Sequence, residues 1–105
     1  MLFRSQAAKL ISEAEKQGNR LRSEAKKQAD RVRAEGRSAA KRLEDEANNP
    51  ITKAAARKAG EKLIEEADKS AAKIESEADK QAKNVVNEAK KQGDKLIDDA
   101  EAKVR

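Results

Sequence analysis

The chain has no cysteine, histidine, tryptophan or tyrosine, and Phe3 is its single aromatic residue. Without Cys there is no disulfide and no thiolate for a metal, and cysteine usage says nothing about redox compartment. Without His the chain also lacks the commonest metal ligand and the usual general base near neutral pH. No stretch approaches the roughly 20 apolar residues of a membrane span. The start, Met1-Leu2-Phe3-Arg4, lacks the apolar run of a signal peptide. The expectation is a soluble chain whose compartment stays open.

Charged residues make up 43% of the sequence and aromatics 1%. Such a composition cannot build a core from large side chains. Two possibilities survive: a helical assembly with a thin seam, or a chain disordered until it meets a partner, because it buries too little to offset backbone entropy. Ala, Glu, Lys and Arg in regular periodicity favour the first. A length of 105 residues allows at most one domain.

The periodicity is eleven residues. Large aliphatics fall at Leu10, Leu21, Val32 and Leu43, and again at Leu63, Ile74, Val85 and Leu96. Four places after each comes a small residue: Ala14, Ala25, Gly36, Ala47, then Ala67, Ala78, Ala89, Ala100. Three places before each comes another: Ala7, Gly18, Ala29, Ala40, then Gly60, Ala71, Ala82, Gly93. An acid precedes the later small residue in every copy. Spacings of three and four put these positions on one helical face. Eleven residues in three turns is about 3.67 per turn, so a seam kept at that period winds right-handed.

Between the two sets lies Asn48-Asn49-Pro50. Proline removes a backbone donor and drives the preceding residue out of the helical region, while Asn suits a left-handed C-terminal position or an N-cap. The expected elements are helix 1 over about 4–47, a turn at 48–50 with Asn49 as N-cap, and helix 2 over about 50–103 with Pro50 first. A connection this short implies an antiparallel hairpin, with a kinked single rod as the alternative. A tight turn pairs residues whose numbers sum to about 99, so that Gly36 meets Leu63 and large residues land on small ones. A looser turn gives a sum of about 106, with Leu43 on Leu63. The Asn-Pro turn favours the tight register.

Gly18, Gly36, Gly60 and Gly93 all fall at small seam positions. Each costs roughly 1 kcal/mol relative to Ala in a helix interior, which points to close backbone approach there. The residue after each large one is apolar at Ile11, Ile64, Val86 and Ile97, and charged at Arg22, Arg33, Glu44 and Glu75. A two-helix seam made mostly of Ala buries little area at about 25 cal/mol per Å². The expectation is therefore self-association into a four-helix bundle, with the second row as the further interface, or pairing with another helical protein.

No catalytic constellation is evident. Acids lie on outer helical faces near Lys or Arg, as in Glu13 with Lys16 and Glu65 with Lys69, rather than converging in a cleft. The reading is a non-enzyme without metal or cofactor; the densest acidic group, Asp98-Asp99-Ala100-Glu101, sits near a helix end. The rival is nucleic-acid binding, because net charge is +5 and Arg20, Arg22, Arg31, Arg33, Arg37 and Arg42 could line helix 1. Interleaved acids and the lack of stacking aromatics count against it. A seam of Ala offers too small an apolar face for a membrane surface.

The segments beginning Leu63-Ile64-Glu65-Glu66-Ala67, Ile74-Glu75-Ser76-Glu77-Ala78 and Val85-Val86-Asn87-Glu88-Ala89 resemble the Ala-rich right-handed coiled coils of rotary-ATPase peripheral stalks. That resemblance implies a structural role through long helix pairs; Asn48-Asn49-Pro50 departs from the continuous parallel helices it implies. The period is also similar to that of desiccation-protective late-embryogenesis proteins, which implies a conditionally folded protectant. Helical Ala/Lys/Glu-rich tails of bacterial envelope proteins are similar too. The leading expectation is an all-α structural or scaffolding module.

Overall fold

A computed structural model describes residues 2–104; Met1 and Arg105, the ends of the expected domain, lie outside the described residues. The fold is all-helical, a hairpin of α1 (Leu2–Glu46) and α2 (Pro50–Val104). With 45 and 55 residues, the helices are about 68 and 83 Å long at 1.5 Å per residue. Ala, Leu, Glu, Lys, Arg and Gln, all strong helix formers, fill most positions. No described helix is long and apolar enough to cross a membrane.

The break follows from side-chain chemistry. The Ala47 amide closes α1 on the Glu44 carbonyl at 3.2 Å, a short i to i−3 bond. Asn49 then caps α2: the Thr52 amide donates to Asn49 Oδ1 at 2.9 Å, and the Asn49 amide donates to Thr52 Oγ1 at 3.1 Å. This reciprocal arrangement satisfies two amides that helix geometry leaves open. Pro50 follows as first helical residue, where its missing N–H costs nothing. No described residue has positive φ, so the turn uses no left-handed Asn. A cap and a proline stand where the chain reverses.

Two compact units are built from these helices. One combines the segments Met1–Glu24 and Glu77–Arg105, and the other is Ala25–Ser76, which contains the turn. The described core is nine alanines, with no buried charged or polar residue. No larger side chain is fully buried.

Candidate helix-helix interface

The small rows make the closest contacts. In the first unit a Cβ placed on Gly18 would lie 3.2 Å from Ala82 Cβ, and one on Gly93 would lie 3.1 Å from Ala7 Cβ. In the second unit a Cβ on Gly60 would lie 3.1 Å from Ala40 Cβ. The numbers in each of these pairs add to 100. The same sum sets Ala29 across from Ala71, and both are 0% exposed. Gly36 approaches the Leu63 carbonyl and, more closely, Ala67. The register is thus close to the tight one, but the tightest layer is small on small. Backbones can approach this closely only where neither partner carries a branched side chain.

The expected seam residues divide accordingly. Ala14, Gly18, Ala25, Gly60, Ala78, Ala89 and Gly93 are buried, while Gly36 and Ala67 are half-buried. Leu21, Val32, Leu43, Leu63, Ile74, Val85 and Leu96 are also half-buried. Leu10, expected in the seam, is 37% exposed. The large residues flank the contact instead of filling it, because axes held this close leave no room between them. Asn48 and Asn49 lie in the turn and Pro50 opens α2. The most deeply buried residues, Ala29, Ala71 and Ala82, are repeat positions whose small size made the neighbouring aliphatics look like the core.

At about 100° per residue, the two small rows straddle the facing helix. The first large row falls roughly 50° to one side, and the row one residue later roughly 50° to the other. The side holding the later row carries cross-helix ion pairs. In the first unit Arg22 Nε donates to Asp79 Oδ1 at 2.9 Å, and Arg4 lies 3.6 Å from Glu101. In the second unit Arg33 donates to Glu75 and, at 3.2 Å, to Asp30; Arg57 lies 3.7 Å from Glu44. The sequence marks these charges as interruptions of an apolar row; their pairing depends on register and was not legible.

The electrostatics follow the contacts. Hydrogen bonds from Lys83 and then Arg22 hold the Asp79 carboxyl below the usual Asp range. The hydrogen bond to Glu75 is the main reason the Arg33 guanidinium is held more firmly protonated than usual, with desolvation opposing it. Arg22 and Arg33 are therefore directed to α2 instead of forming an outward basic row with Arg20, Arg31, Arg37 and Arg42.

The opposite side carries the Leu10 row, which is aliphatic in every copy of the repeat. In the first unit it forms an open groove of about 430 Å³. Leu10, Ala14, Val85 and Ala89 line it together with Glu13, Gln17, Asn84, Glu88 and Gln92. α1 and α2 share four repeat positions there, and Asn84 comes from α2 alone. Among the described residues no three acids converge as a metal site. No protein-family model, curated protein or solved structure gives a significant match to this chain.

Proposed function

We propose that the chain is a non-enzymatic structural or scaffolding module that acts by helix-helix association, as a right-handed coiled coil on an eleven-residue repeat. One observation carries the reading: among the described residues every buried hydrophobic side chain is alanine, while Leu21, Val32, Leu43, Leu63, Ile74, Val85 and Leu96 stay half-exposed and Leu10 is exposed. A seam of methyl groups stabilises a hairpin weakly, so the larger aliphatics supply their hydrophobic free energy only when another helical surface covers them. The partner is another copy of the chain, giving a four-helix bundle. Burial of Ala7, Gly18, Ala29 and Ala40 at intervals of eleven supports the repeat as the packing unit.

Thermal unfolding followed by circular dichroism tests this across a concentration series. Association stabilises the folded chain by mass action, so the midpoint rises with concentration. A highly helical chain with a concentration-independent midpoint contradicts the reading, and a largely unfolded chain in dilute buffer points to a conditionally folded protectant. Salt-dependent retention on DNA would instead support the basic-helix alternative; the inward pairing of Arg22 and Arg33 argues against it.

A further inference from the structure

We infer that a second copy of this chain covers the flank bearing Leu10, Leu21, Val85 and Leu96 in the first unit. The inference rests on the association reading and specifies its surface. The sequence alone points to the other row, at Ile11, Ile64, Val86 and Ile97. The two flanks differ in the row beside the seam, although Glu13 and Glu88 also line the groove on the Leu10 side. The Ile11 row is interrupted by Arg22, Arg33, Glu44 and Glu75, which are drawn into ion pairs between the helices. Covering that flank would desolvate those charges, a cost that Coulomb attraction often fails to recover. The Leu10 row has a large aliphatic in all eight copies.

A further feature favours a second copy as the occupant, the charge pattern outside the aliphatic row. The position three residues after each large residue is acidic in all eight copies, from Glu13 to Asp99. The position one residue before it is basic in seven, from Lys9 to Lys95, with Asn84 the exception. Both rows lie on the Leu10 side of the helix, beyond the aliphatics. When two such helices pair antiparallel, the register that sets one helix's acids against the other's bases also sets its bases against the other's acids. Parallel pairing satisfies only one of the two. A two-fold dimer of hairpins places antiparallel helices across its interface, so the face is electrostatically complementary to itself.

The absence of native cysteine permits single-site labelling of the full chain. Leu10→Cys and Leu96→Cys report on the proposed face, and Ile11→Cys and Ile97→Cys on the other. Iodoacetamide reaction rates are measured at rising chain concentration, with sedimentation equilibrium on the same samples. The expected result is slowing of about tenfold at Leu10→Cys and Leu96→Cys once nine chains in ten are paired, with little change at the other two. Circular dichroism identifies any variant that has lost its helices, and the second variant on each face then carries the comparison. Slowing confined to Ile11→Cys and Ile97→Cys, or slowing at no site although the chain is paired, overturns the face assignment and leaves association intact. Monomeric wild-type chain at every concentration overturns both.

Discussion

Gly36 faces Ala67 so closely that a Cβ on Gly36 would lie 2.5 Å from the Ala67 Cβ. Real Cβ atoms do not approach this closely, so Gly36→Ala must push the helices apart. Overpacking of this kind costs about 1–3 kcal/mol, and the gain in helix propensity returns only about 1 kcal/mol. Gly18, Gly60 and Gly93 have closest distances of 3.1–3.2 Å, where small shifts relieve the contact. Chemical denaturation of the four Gly→Ala variants is expected to rank Gly36→Ala as the least stable.

Ala71 is fully buried, whereas Val86 is half-buried on a flank. Ala71→Leu should therefore lose about 1–3 kcal/mol by forcing the backbones apart. Val86→Leu should change stability by less than about 0.5 kcal/mol. Denaturant midpoints of the two variants, compared with the parent, check a prediction opposite to the habit of reading every large aliphatic as core.

The Asn49 side chain supplies one half of the reciprocal cap at the turn. Asn49→Ala removes the acceptor for the Thr52 amide and should cost about 0.5–2 kcal/mol. Asn49→Asp retains that acceptor and should stay near the parent. Thermal unfolding of the two variants separates loss of the cap from any general sensitivity of the turn.

Asp79 gives a pH signature. Its folded pKa lies below the usual Asp value because Lys83 and Arg22 hydrogen-bond to it. The resulting stability is present above the unfolded value, about 3.9, and is lost as pH falls through the folded one. Asp79→Asn should therefore be less stable than the parent at pH 7 and converge with it in strong acid. Unfolding midpoints for the two proteins over that range test the sign.

The helices and their reversal are legible in the sequence because they depend on local chemistry: strong helix formers throughout, then an Asn cap and one proline. Small residues such as Ala7, Gly18, Ala29 and Ala40 are buried. The contacting layer was harder to read. Leu and Val are ordinarily core residues, yet here Ala29 and Ala71 occupy the contact and the aliphatics are displaced to its edges. That outcome depends on the distance between axes, which no single helix encodes. The Arg33–Glu75 pair was hidden for a related reason. Partners 42 positions apart are joined only once the register is set, and two registers fitted the repeat.

Sedimentation equilibrium of the full chain, monitored for helicity on the same samples, tests association most directly. The account predicts a helical species of twice the 11.5 kDa chain mass at micromolar concentration, dissociating on dilution with loss of stability. A fully helical monomer, stable and unchanged across that range, would contradict it.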